Sequence, residues 1–156
     1  MTDGRNIHAT GLVLGTLGLL FRGPSGAGKS LLALALLDRW SARGLPALLV
    51  SDDRLDVRTH GAACIMDAPP ALAGQIELRG RGIVQRPHVG SARIHLVIDL
   101  VHTLVRMLDE SELRTDLFGV EIARAPVPTS ALIGLEHQIL LVSEALRALD
   151  QGKVQT

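Results

Sequence analysis

Gly23-Pro24-Ser25-Gly26-Ala27-Gly28-Lys29-Ser30 fits the pattern G-x-x-x-x-G-K-[ST] and lies between the apolar run Gly18-Leu19-Leu20-Phe21 and a leucine-rich run that follows Lys29. No other feature restricts the fold as much. Such a loop works only where a strand hands over to a helix, so that N–H groups of the turn and of the first helical turn converge on one anion. The chain is therefore expected to be α/β. Gly23, Pro24, Ser25, Gly26, Ala27 and Gly28 shape the phosphate-binding turn, Lys29 supplies a mobile positive charge, and Ser30 supplies a hydroxyl for Mg2+. Of the 16 Lys and Arg residues only Lys29 and Lys153 are lysines, so the one lysine outside the tail stands where a compact ammonium is wanted. Nucleotide phosphates are the first ligand to consider.

The 156 residues, 47% of them apolar, predict one domain over residues 1–150 with a polar tail at 151–156. Sixteen acidic residues balance sixteen basic ones, which argues against a broad electrostatic surface for nucleic acid or anionic lipid. No apolar run approaches the roughly 18 residues of a membrane span, and Met1-Thr2-Asp3-Gly4 lacks the basic-then-apolar order of a signal peptide, so a cytoplasmic protein is expected. Cys64 is the sole cysteine, which excludes a disulfide framework, and its apolar neighbours predict an ordinary buried thiol. His60, His88, His95, His102 and His137 show no metal-ligand spacing on a shared element.

Along the chain, Gly11–Leu14 and Gly18–Phe21 read as strands around a turn at Gly15-Thr16. Lys29 to Ala42 reads as a helix apolar nearly all round, ended by Gly44. The continuous apolar run Ala47–Ser51 reads as a central strand covered on both faces, completing a βαβ unit. Asp52-Asp53 then fall at its carboxyl end, on the sheet edge where ligands bind, with Asp53 facing the opposite side of the strand. Further on, Leu55–His60 and Ala63–Met66 suggest a hairpin, Pro69-Pro70 a break, Ile94–Leu100 a buried strand, and Arg114–Ala123 strands turning near Gly119. After Pro126 and Pro128, Ala131–Leu149 reads as a long helix whose stripe Leu135, Ile139, Val142, Leu146 and Leu149 suits a core or a partner surface.

Four blocks in order resemble the catalytic domain of bacterial HPr kinase/phosphorylase. They are His8, fifteen residues ahead of the loop; Gly23–Ser30; Ser51-Asp52-Asp53-Arg54-Leu55-Asp56-Val57; and Glu77-Leu78-Arg79-Gly80-Arg81-Gly82-Ile83. A weaker similarity runs from Val97-Ile98-Asp99-Leu100 to Arg106-Met107, and the start of the chain just before His8 is similar to the short form that lacks a separate amino-terminal domain. The resemblance implies an ATP- and Mg2+-dependent kinase acting on a serine of the histidine-containing phosphocarrier protein (HPr) of the sugar phosphotransferase system. It implies a homohexamer and a P-loop-containing twisted mixed sheet with flanking helices, similar to the nucleotide-binding part of phosphoenolpyruvate carboxykinase.

Residue by residue, the resemblance makes Asp52 the proton acceptor, Glu77 a second Mg2+ ligand beside Ser30, and His8 and Arg106 catalytic with Lys29. A carboxylate just beyond a strand at the nucleotide edge also suits the base role on physical grounds, although acidic pairs are common in turns. Arg79, Gly80 and Gly82 form a flexible cationic segment toward phosphates or the carrier protein, and Arg81 stands where the family is usually apolar. The family also runs a reverse phosphorolysis, tied to a Val-Pro-Val-Lys-Val-Gly-like run. At the corresponding Ala125–Ser130 this chain has neither lysine nor glycine, so the kinase direction is the main expectation. Two alternatives stay open behind it: a small-molecule kinase of the phosphate-loop class, and a non-catalytic ATP-sensing regulatory module.

Overall fold

The computed structural model describes residues 4–154, with side chains through Asp150. Residues 1–3, where the absence of a leader was read, and residues 155–156 of the expected tail lie outside the described residues. The elements in chain order are β1 (Arg5–Ile7), β2 (Thr10–Leu14), β3 (Leu17–Arg22), α1 (Lys29–Ala42), β4 (Ala47–Ser51), β5 (Leu55–His60) and β6 (Ala63–Asp67). They continue with β7 (Gln75–Leu78), β8 (Gly82–Gln85), β9 (Ser91–Arg93), β10 (Leu96–Val101), β11 (Arg114–Leu117), β12 (Val120–Pro128) and α2 (Leu135–Val154). No helix among the described residues is long and apolar enough to cross a membrane.

The main sheet is mixed, in the order β11-β12-β10-β3-β2-β4. Alternation along its strands divides two apolar layers. Leu19 and Phe21 of β3 and Leu96 and Ile98 of β10 face α1 and α2, joining Leu32, Leu36, Ile139 and Val142. Leu20 and Val97 point the other way, onto Leu55, Val57, Cys64 and Met66 of a second, antiparallel sheet ordered β1-β5-β6-β9. The two sheets approach closely at Gly18, where a Cβ would collide with the Arg93 carbonyl oxygen. Cys64 is fully buried, its Sγ–H donates to the Leu117 carbonyl, and burial pushes the thiol up.

Three sequence expectations need correction. Ala47–Ser51 is the outermost strand, not a central one, because the tight β2–β3 hairpin occupies the flank of β3 that a βαβ return would use. β4 still runs parallel to β3 across β2, and its apolar run is explained by burial of Leu49 and Val50 in opposite layers. Its free side is closed by Pro87–Val89, through Leu49 N–H to Pro87 O at 2.9 Å and Val89 N–H to Leu49 O at 3.0 Å.

The strand read as ending at Ala123 runs on to Pro128, so that Pro126 and Pro128 lie inside β12. Thr129 N–H donates to Val101 O, so the alternate positions 126 and 128 turn away from β10, where β11 no longer pairs and a missing N–H costs no ladder bond. The helix therefore starts at Leu135, and it continues through Gln151–Val154, where a polar tail was expected. Its stripe packs inward: Ile139, Val142 and Leu146 are buried in the core, with Leu135 and Leu149 against it.

β3, β10 and β12 run parallel, and at their carboxyl ends Asp99 of β10 joins all three. It accepts from Arg22 Nε at 2.7 Å and Nη2 at 2.8 Å, and from Arg124 Nε at 2.6 Å. Burial pushes the Asp99 carboxyl up, but the hydrogen bonds and charges of Arg22 and Arg124 outweigh it and hold the group below its ordinary value of 3.8. The stabilisation this gives is complete above about pH 5 and is lost as pH falls through the folded-state value. Asp99→Asn is expected to cost about 2–4 kcal/mol near neutral pH, because two guanidinium groups lose their carboxylate. Urea unfolding at pH 7 and pH 3 checks this: the gap between wild type and variant should narrow on acidification.

Candidate active site

Because β3, β10, β12 and β4 all point the same way, and β2 starts where they end, one edge of the sheet collects every connecting segment of interest. Gly23–Gly28 leaves β3 there, Asp52-Asp53 leave β4, residues 102–109 leave β10, Thr129-Ser130 leave β12, and His8 enters just ahead of β2. This is the edge at which α/β sheets bind ligands.

Gly28 caps α1 with φ 96° and ψ 18°, a left-handed conformation in which a side chain would be strained. Gly23 packs so close that a Cβ would lie 2.9 Å from Leu100 Cβ. These constraints explain the two fixed glycines of the loop. Lys29, 6% exposed, folds back across it, donating from Nζ to Gly23 O at 2.6 Å and to Pro24 O at 3.3 Å. Burial pushes its ammonium below the ordinary 10.5, opposed by the charges of Asp53 and Asp52.

Asp52 is the hub of the edge. Its Oδ1 accepts from Ser30 Oγ at 2.7 Å and from Thr10 Oγ1 at 3.0 Å, and its Oδ2 accepts from Glu77 N–H at 3.1 Å. Asp53 does not face the far side of a strand as alternation predicted. It lies beyond β4 in a turn with φ 69°, its N–H donating to Thr10 Oγ1 at 3.2 Å and its carboxylate 2.7 Å from His8 Nε2. The strand ends at Ser51, so the period of two no longer applies.

Glu77 and Arg79 come from the β7–β8 hairpin, which is seated on α1 by the fully buried Ile76 and at its base by a two-bond ion pair between Arg86 and Asp38. Arg79 Nε lies 3.7 Å from Glu77 Oε1, and Gly80 and Gly82 take positive φ at the tip. A cleft of about 360 Å³ joins these pieces, lined by Ser25, Gly26, Gly28, Lys29, Ser30, Asp52, Glu77 and Arg79 among others. Gly23, Pro24 and Ala27 shape the loop without lining the cleft, and His8 connects to it through Asp53. Arg106 is not among the cleft's lining residues; it lines a separate cavity of about 560 Å³, between residues 101–113 and α2.

The sequence reading missed two residues. Thr10 is buried behind Asp52, and Ser130 lines the cleft with its Oγ 3.3 Å from where a Gly28 Cβ would sit. Neither belongs to a local pattern, since Thr10 and Ser130 come to the cleft edge from segments distant in sequence from Asp52 and Gly28. Chemically, the cleft offers inward N–H groups and an ammonium for an anion, oxygen donors for a hard cation, and a carboxylate for a proton.

A family model described as HPr Serine kinase C-terminal domain matches residues 1–137. The HPr kinase/phosphorylase of Lacticaseibacillus casei (strain BL23) is 29% identical over 164 residues, covering 97% of this chain and 50% of the relative. That of Clostridium acetobutylicum is 31% identical over 150 residues, covering 91% of this chain and 47% of the relative. The chain thus spans about half the length of the curated relatives it matches. Among solved structures, the Hpr(Ser) kinase/phosphatase from Coxiella burnetii superposes with a TM-score of 0.74 at 28% identity, covering 97% of this chain and 99% of that one.

Proposed function

This chain belongs to the HPr Serine kinase C-terminal domain family, and we propose that it transfers the γ-phosphoryl group of ATP to a serine of the histidine-containing phosphocarrier protein of the sugar phosphotransferase system. The observation that carries the reading is the bond of 2.7 Å from Ser30 Oγ to Asp52 Oδ1 in the cleft that Lys29 lines. It sets a proton acceptor beside the loop residue that holds the nucleotide's cation. Phosphoryl transfer asks the protein mainly for positioning and charge stabilisation, and these groups supply both.

In this reading Gly23–Ser30 is a P-loop, as in the nucleotide-binding part of phosphoenolpyruvate carboxykinases. Its N–H groups and Lys29 grip the phosphates. Asp52 orients the acceptor serine and takes its proton as that oxygen bonds to phosphorus and ADP leaves. Ser30 and Glu77 present oxygen atoms to the cleft, which fits Mg2+, a hard cation that keeps few protein ligands. Bound with ATP, Mg2+ neutralises charge on the phosphate oxygens. Arg79 lines the cleft and Arg106 follows β10 at the same sheet edge, both suited to the transferred group or the carrier protein. His8 acts through Asp53, with which it pairs. We assign residues 1–150 to one kinase domain, a cytoplasmic setting, and a homohexamer; sedimentation at the monomer mass would remove the last.

Mixing the protein with Mg-ATP and the carrier protein should yield one phosphoserine by mass spectrometry. Tight ATP binding without transfer would overturn the reading in favour of a metabolite kinase or an ATP sensor.

A further inference from the structure

We propose that Thr10 is a positioning residue that holds the Asp52 carboxylate in place for proton acceptance; this rests on the role given to Asp52 above. Thr10 opens β2 and is fully buried. Its Oγ1 accepts from Asp53 N–H at 3.2 Å and donates to Asp52 Oδ1 at 3.0 Å. An amide can only donate, so a hydroxyl lone pair faces Asp53 and the single proton is directed to Asp52.

The other two donors on Asp52 serve from the ligand side. Ser30 belongs to the phosphate loop, and Glu77 N–H comes from the two-stranded β7–β8 hairpin. Thr10 lies outside the cleft lining and reaches Asp52 from the start of β2, which is paired on both sides, by β3 and β4, in the six-stranded sheet. It is the one donor among the three whose own element has no part in holding a ligand.

The backbone is built around this contact. Gly11 pairs with Ser51 but Leu12 pairs with Leu49, so Val50 is an extra residue on β4. Bulges of this kind bend a strand and re-aim the side chains beyond it. Here the turn that follows brings Asp52 Oδ1 and Asp53 N–H onto one hydroxyl. Asp53 holds a positive φ that non-glycine residues seldom adopt, and its bonds to Thr10 and His8 restrain it.

Two variants of the whole chain separate positioning from packing. Thr10→Val nearly keeps the shape and deletes the hydroxyl; Thr10→Ser keeps the hydroxyl and deletes a methyl. Thr10→Val is expected to lower kcat for phosphoserine formation about 10- to 100-fold while KM for ATP stays within about threefold, and Thr10→Ser to recover most of the rate. Thr10→Val should also move the carboxyl 13C resonance of Asp52, with Thr10→Ser near wild type.

Wild-type kcat in Thr10→Val, equal losses in both variants, or an unmoved Asp52 resonance in Thr10→Val would each overturn the proposal. Should wild type fail to phosphorylate the carrier protein, the kinase reading alone falls. The Asp52 resonance still decides the role of Thr10.

Discussion

Asp52→Asn is expected to lower the rate of phosphoserine formation by about 10²–10⁴-fold, with ATP affinity changed little. The amide has the same size and keeps one acceptor oxygen for Thr10 and Ser30, so the turn after β4 should persist. It cannot take up the acceptor's proton, and its NH2 group meets the Glu77 N–H donor-to-donor where Oδ2 accepted. The signature is a collapse of kcat without a matching loss of nucleotide binding, read by quantitative mass spectrometry and calorimetric titration of ATP. Retained turnover would move the base elsewhere. Asp53, paired with His8 in the adjacent turn, would be the first residue to replace next.

Lys29→Ala should fail differently, losing nucleotide affinity and turnover together. Lys29 braces the loop as well as charging it, since its Nζ reaches the carbonyls of both Gly23 and Pro24. Alanine removes the cation beside the phosphates and also a donor to the loop's own backbone. A loss of about 10²–10³-fold in turnover, with ATP binding weakened in the same titration, is the expected outcome. Lys29→Arg should rescue poorly: the buried ammonium sits 2.6 Å from Gly23 O, and a planar guanidinium needs more room. An alanine variant that binds ATP as wild type does would mean that the loop N–H groups alone hold the phosphates.

Much of the fold was legible from local signals. The β2–β3 hairpin at Gly15-Thr16, helix α1 from Lys29 to Ala42, the β5–β6 hairpin and the β11–β12 turn at Gly119 appear where glycines and apolar period place them. These features depend on residues a few positions apart, and the backbone responds to them directly. The place of Asp52 at the cleft was legible for a similar reason, as a carboxylate just past an apolar strand that follows the Gly23–Ser30 motif. Tolerance of Pro126 and Pro128 within β12 was not, because it depends on which side of the strand is unpaired.

The sequence by itself determined the glycine-rich loop after β3, the helix it opens, and the carboxylate after the next strand, since motif, capping and periodicity are short-range. Tertiary structure decided the rest: that β2 separates β3 from β4, that the α2 stripe packs on the core, and that Arg106 lines a cavity separate from the cleft. It also decided that Thr10 meets Asp52 across 42 positions of chain. Strand order and register are settled by competition among many apolar surfaces for the same sheet edges. A hydroxyl finds its carboxylate only after that competition has been resolved.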